Sequence, residues 1–216
     1  MPDYLLNDTE VRVLGSLIEK EITTPDYYPL SLNALTNACN QLSNRNPVVH
    51  FDEETVAGAI ESLRKRNLVH VVVRDDSRVT KYRQVMSETM SLQTREIAVM
   101  CVLMLRGPQT VGEIRTRSNR IFDFESLADV ETTLNSLSAR EPSALVVRLP
   151  RQTGQKEVRY AHLLSGEVVF DEPEAAMNRA QVDSERLLRL EQTTEELRQQ
   201  VEDLRRQFEG FRKQFE

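Results

Sequence analysis

The residue types best suited to chemistry are few and scattered in this chain. His50, His70 and His162 fall in separate elements, none at metal-ligand spacing from another ligand. Cys39 and Cys101 lie in two different helical patterns, where small thiols serve as core residues in a reducing compartment. Seven glycines make no Gly-rich phosphate loop, and no Gly-x-Ser-x-Gly elbow occurs. Carboxylates fall at helix caps and on helix surfaces. A non-enzymatic protein is expected, with no catalytic residue, no metal site and no cofactor. The chemistry that remains is recognition. Arg148, Arg151, Lys156 and Arg159 gather on one ribbon, where cationic groups can meet phosphates. Thr132 and Asn135 share the outer face of the helix before that ribbon and could read base edges. Arg45 and Arg120 each close a Ser-Asn-Arg triplet. They either clamp a phosphate or carboxylate, or bond nearby carbonyls and acids while Ser and Asn shape a turn. Tyr27 and Tyr28 lie between Pro25 and Pro29, either as an exposed aromatic patch or packed under their loop.

The elements that must position these residues occur twice. Leu6-Asn7-Asp8-Thr9-Glu10-Val11 is answered by Leu92-Gln93-Thr94-Arg95-Glu96-Ile97, and Leu32-x-x-Leu35 by Val111-x-x-Ile114. Ser43-Asn44-Arg45 is matched to Ser118-Asn119-Arg120, and Lys81-Tyr82 to Arg159-Tyr160. Val56-x-x-x-Ile60-x-Ser62-Leu63 is matched to Val130-x-x-x-Leu134-x-Ser136-Leu137. In the first copy Asn7 and Glu10 have capping-box spacing before an apolar stripe of Val11, Leu14, Leu17 and Ile18. Pro25 and Pro29 break that helix. Ser31 caps a short second helix to about Cys39, and Asp52 caps a third. The period then becomes alternating at Val69, Val71 and Val73, and returns over residues 79–85. The second copy repeats the order. Its helices are expected near 97–105 and 111–117 and after the cap Ser126; its strands are expected at 145–149 and 158–163. Three helices and a two-stranded ribbon in this order read as a winged helix.

Charge limits the partners. The net charge is −6. Residues 1–88 carry 10 Lys/Arg against 13 Asp/Glu, residues 89–170 carry 10 against 9, and residues 171–216 carry 8 against 12. No whole-chain field draws in a polyanion, so any nucleic-acid contact needs a local patch. In the first copy the third helix presents Glu53, Glu54 and Glu61 outward, which opposes entry into a DNA groove. The second copy is the more permissive one. No signal peptide is read at the N-terminus and no membrane-length apolar run occurs, so a cytoplasmic location is expected.

The C-terminal stretch is of another kind. Leu187, Leu190, Leu197, Val201, Leu204, Phe208, Phe211 and Phe215 alternate by three and four residues, with Thr194 in the same seam. That is heptad spacing, and so narrow a stripe on a polar helix needs a partner helix. A homodimer through this helix is expected.

The expected fold is thus mainly α with small β-ribbons (α+β): two tandem winged-helix domains plus a coiled-coil helix. Residues 1–88 form the first domain, 89–165 the second, 166–178 a connector and 179–216 the coiled-coil helix. Longer motifs carry a resemblance. They are Thr23-Thr24-Pro25-Asp26-Tyr27-Tyr28-Pro29-Leu30-Ser31-Leu32-Asn33-Ala34-Leu35, Cys39-Asn40-Gln41, Asn44-Arg45-Asn46-Pro47-Val48 and Arg106-Gly107-Pro108-Gln109-Thr110. Over roughly residues 4–170 the chain resembles the YceH-like family of uncharacterised bacterial proteins. The resemblance implies tandem winged helices and brings no activity, ligand or catalytic residue with it. The expected function is DNA binding, transcription-associated, through the second winged helix. Its candidate contacts are Arg120, Thr132, Asn135, Arg148, Arg151, Lys156 and Arg159. The alternative is a protein-interaction scaffold that docks partners on the winged helices without binding DNA.

Overall fold

The computed structural model describes residues 5–73, 79–151 and 157–166. The protein is mixed α and β, with small antiparallel sheets. Helix α1 (Asp8–Thr23) starts where its capping box dictates. The Asn7 amide donates to Glu10 Oε2 at 2.8 Å, and the Glu10 amide donates to Asn7 Oδ1 at 2.9 Å. A 3₁₀ turn (Pro25–Tyr27) and a two-residue strand β1 (Leu30–Ser31) lead into α2 (Leu32–Cys39), capped by Ser31. Asp52 Oδ1 accepts from the Thr55 amide at 2.8 Å and opens α3 (Glu53–Lys65). Strands β2 (Val69–Val72) and β3 (Lys81–Gln84) follow. Strand β3 is central in a sheet ordered β1-β3-β2, with Leu30 opposite Tyr82.

A single turn, α4 (Met86–Thr89), joins the copies. The second comprises α5 (Thr94–Arg106), α6 (Val111–Ser118), α7 (Leu127–Ser138), β4 (Val146–Arg148) and β5 (Tyr160–His162). Gly107, at φ +69°, stops α5. Thr110 caps α6 and Ser126 caps α7, each in a reciprocal box with an acid three residues on. Gln109 bridges Tyr160 as Leu30 pairs with Tyr82, so the sheet registers of the two copies agree.

One triplet match does not survive. Leu32 opens α2 and Val111 opens α6, so structural equivalence pairs Cys39 with Ser118. Ser118 closes a helix, whereas Ser43-Asn44-Arg45 lies in the loop beyond one. The triplets are a coincidence of residue type, offset by four positions.

The spacing in α1 predicts one buried stripe. Instead every residue from Glu10 to Glu19 is buried, as is every residue from Glu96 to Leu105 of α5. The cause is mutual packing: α1 covers α5 on the side its own copy leaves open. A Cβ on Gly15 would stand 3.0 Å from Leu105 Cδ2 and 3.2 Å from Met104 Cβ. A single hydrophobic cluster runs through both copies, from Leu14 and Leu17 to Leu103, Leu134 and Leu137. The described residues belong to one compact unit. Among them, no helix is long and apolar enough to cross a membrane.

Candidate binding surfaces of the second copy

Helix α7 buries Val130, Thr133, Leu134 and Leu137 and turns Ala128, Glu131, Thr132, Asn135 and Ser138 to solvent. The Thr132 hydroxyl donates to the Ala128 carbonyl at 2.9 Å, leaving its oxygen only as an acceptor. The Asn135 side chain makes no hydrogen bond among the described residues. Beside this helix the ribbon places Arg148 opposite Tyr160. An open groove of about 890 Å³ lies between the start of α6, the first turns of α7 and the ribbon. Arg148 and Arg151 line it together with Glu131 and Glu157, over a floor that includes Val111, Leu127 and Leu149. Leu127 is 50% exposed, the one large hydrophobic side chain of α7 that stands in solvent.

The other candidate contacts part company. Thr132 and Asn135 sit on α7 but do not line the groove. Arg159 is turned toward α6, where its Nη1 donates to the Pro108 carbonyl at 2.9 Å and to Glu113 Oε2 at 3.0 Å. Arg120 is exposed at the far end of α6 and lines a separate cleft. Lys156 lies outside the described residues. So do Leu187, Leu190, Leu197, Val201, Leu204, Phe208, Phe211 and Phe215 of the heptad stripe.

In the first copy, Arg45 is a structural residue. It is 6% exposed, and its guanidinium donates to the Ala38 carbonyl and, at 2.6 Å, to Glu19 Oε2. Arg12 is buried as well and donates to the carbonyls of Cys39 and Pro47. The two tyrosines split. Tyr27 is 77% exposed, while Tyr28 packs on the core and its hydroxyl accepts from the Gln84 amide at 2.7 Å. Burial, assisted by Glu21, holds the Tyr28 phenol well above its ordinary range. The carboxylates of α3 stand outward as the sequence suggests, with Glu61 paired to Arg64 at 2.7 Å. Both cysteines are free thiols in the core, and burial raises the pKa of each. Among the described residues no group of His, Cys, Asp and Glu is placed to hold a metal ion.

Sequence reasoning passed over two arginines. Arg106 enters the sequence reading only within the motif Arg106-Gly107-Pro108-Gln109-Thr110, yet its Nη2 donates to Asn44 Oδ1 across the boundary between copies. Arg117 pairs with Glu113 at 3.3 Å and also reaches Gln109. The available signal was the run Arg115, Arg117 and Arg120 on and just past α6.

The fold and its surfaces define a two-copy α/β protein held by one core, with an open groove on the second copy. The chain belongs to the family described as "protein of unknown function, DUF480", whose model matches residues 6–155. It is similar to a UPF0502 protein of Solibacter usitatus, 54% identical over 198 residues that cover 91% of this chain and 94% of that one. A UPF0502 protein of Opitutus terrae is 51% identical over 197 residues, covering 91% and 85%. One of Aliivibrio fischeri is 44% identical over 201 residues, covering 90% and 92%. This is the family to which the loop motifs point.

Proposed function

We propose that this is a non-enzymatic protein of two winged helices whose second copy contacts duplex DNA. Helix α7 would face the major groove and the β4–β5 ribbon the phosphates. The winged-helix reading is supported by element order in both copies and by the short β segment before the second helix, paired to the last strand. The contact is supported by one observation above others. Arg148 and Arg151 line the same groove as the start of α7, and the Arg148 side chain has no hydrogen bond or ion pair among the described residues. The acidic outer face of α3 argues that the first copy does not share the contact. The heptad stripe supports a homodimer, and a cytoplasmic location fits such a protein.

Fluorescence anisotropy of labelled random duplex, titrated with the full chain at several salt concentrations, tests the reading. Binding should weaken steeply with salt as counterions are released. Arg148→Ala combined with Arg151→Ala should abolish it. Unchanged affinity in the double variant refutes this contact.

A second reading has its own support. The groove is apolar at Val111, Leu127, Leu149, Pro150 and Val158, and Glu131 and Glu157 offset its two arginines. Such a mixed groove suits a protein segment. No duplex binding even at low salt would favour this docking role, with Leu127→Asp expected to abolish capture of a co-purifying partner.

A further inference from the structure

At the end of α6 remote from the groove lies a smaller cleft, of about 160 Å³. Its walls come from both copies. The first supplies Glu19 and Thr23 of α1 and Asn44 of the following loop; the second supplies Arg106 of α5, and Arg117 and Arg120 on and after α6. Three arginines therefore line a space of about five water volumes. The cleft holds one carboxylate, Glu19, and buried Arg45 already neutralises it at 2.6 Å. Glu113 offsets part of the Arg117 charge from outside the cleft. Arg120 is exposed, and its side chain has no hydrogen bond or ion pair among the described residues.

The site is also built rather than left over. Asn44 adopts φ +60°, a left-handed conformation that Asn tolerates better than most residues. In that conformation its side chain accepts from Arg106. The next turn is tied to the same helix by the Asn46 amide, which donates to the Leu105 carbonyl at 2.9 Å. The loop thus fixes one wall of the cleft against the other. Crowding of like charge is felt: burial, then Arg117 and Arg45, lowers the Arg106 pKa.

We infer that this cleft binds a phosphate group, held by Arg106, Arg117 and Arg120 with Asn119 and Thr116 at its edge. Planar guanidinium forks match the oxygens of a tetrahedral dianion and form the stronger class of hydrogen bond. A bound phosphate would relieve repulsion among the arginines and bridge the two copies. The source is either free inorganic phosphate or the phosphate end of a small metabolite. The cleft shares no lining residue with the α7 groove, so it stands or falls apart from duplex binding.

Isothermal titration of the full chain with inorganic phosphate, and separately with adenosine monophosphate, at matched ionic strength in chloride, tests the inference. Saturable binding to at least one is expected. Tighter inorganic phosphate marks a site for the free ion; tighter monophosphate marks a phosphate-bearing metabolite. Arg120→Ala should weaken binding about tenfold or more without altering the urea midpoint, because its side chain bonds to nothing else among the described residues. Arg106→Gln keeps a donor for Asn44 but loses the charge, and should weaken binding similarly. Arg64→Ala on α3 should change nothing. No saturable binding of either probe would overturn the inference, as would equal affinity in the wild type and both cleft variants.

Discussion

Glu19 and Arg45 form an ion pair whose side chains are 11% and 0% exposed. Lys20 approaches the same carboxylate only at 3.7 Å. Removing one member strands a buried charge, which costs more than the pair contributes as a pair. Arg45→Met should lower the unfolding free energy by about 3 kcal/mol, read from urea denaturation. Adding Glu19→Gln should recover more than half of that loss. A loss as small as that of an exposed pair would mean the carboxylate reaches water. His162 poses the opposite problem, an imidazole with no counter-charge in contact among the described residues. Its Nδ1 is enclosed and has no hydrogen-bond partner among them, although the residue as a whole is only partly buried. Burial lowers its pKa to about 4, and Asp8 opposes this only in part. The folded imidazole therefore stays neutral while the unfolded one takes up a proton near its ordinary value of about 6.5. Stability attributable to this group is lost as pH falls from about 6.5 to about 4, by at most about 3 kcal/mol. The difference in urea midpoint between wild type and His162→Phe should change with pH across that window. A constant difference would place the imidazole in water.

Two helix-interior glycines should respond in opposite directions. Gly15 lies where α1 meets α5, and a Cβ there would already crowd Leu105 at 3.0 Å. Gly15→Val should cost about 2 kcal/mol by overpacking. Gly58 in α3 has nothing within 4 Å of the site of a Cβ. Gly58→Ala should add about 0.5–1 kcal/mol from helix propensity alone. Thermal unfolding should show the first variant below wild type and the second above it; the same sign in both would mean the α1–α5 contact yields freely. Elements of this kind were largely legible in the sequence, because each long helix begins with a local signal. Asn7 with Glu10, Ser31, Asp52 and Ser126 with Asp129 cap as their spacing suggests. Strand β1 was not legible, because two residues have no periodicity and its partner β3 is about 50 residues away. Nor was α4, a single turn between copies. The all-round burial of α1 and α5 depends on long-range packing that no window on either helix contains. The placement of the candidate contacts was less legible for the same reason. Ribbon and helix position put Arg148 and Arg151 near α7, but which acid or carbonyl Arg159 and Arg45 would meet depended on long-range packing.

At the scale of the molecule, the resemblance-bearing motifs brace loops within each copy and tie one copy to the other. Asn40 bonds the Phe51 backbone in both directions, Asn46 ties its loop to α5, and the Pro47 carbonyl receives Arg12. Arg106 crosses to Asn44, Gly107 ends α5, Gln109 bridges Tyr160 and Thr110 opens α6. One core and one polar seam hold the two copies together, and the α7 groove lies on the second copy. Under the proposed duplex contact, avidity would come from a second chain, which the heptad stripe is proposed to supply. If Arg148 and Arg151 each neutralise one phosphate, a monomer should lose affinity with a log–log salt slope of about −1.8, and a dimer engaging both grooves of about −3.6. A chain ending at Glu174 keeps the core but lacks the stripe. It should sediment as a monomer where the full chain is a dimer, and its salt slope should be half as steep. A dimer in the shortened chain would move the self-association surface off the heptad stripe. A monomer with an undiminished slope would mean that only one groove of the dimer reaches the duplex.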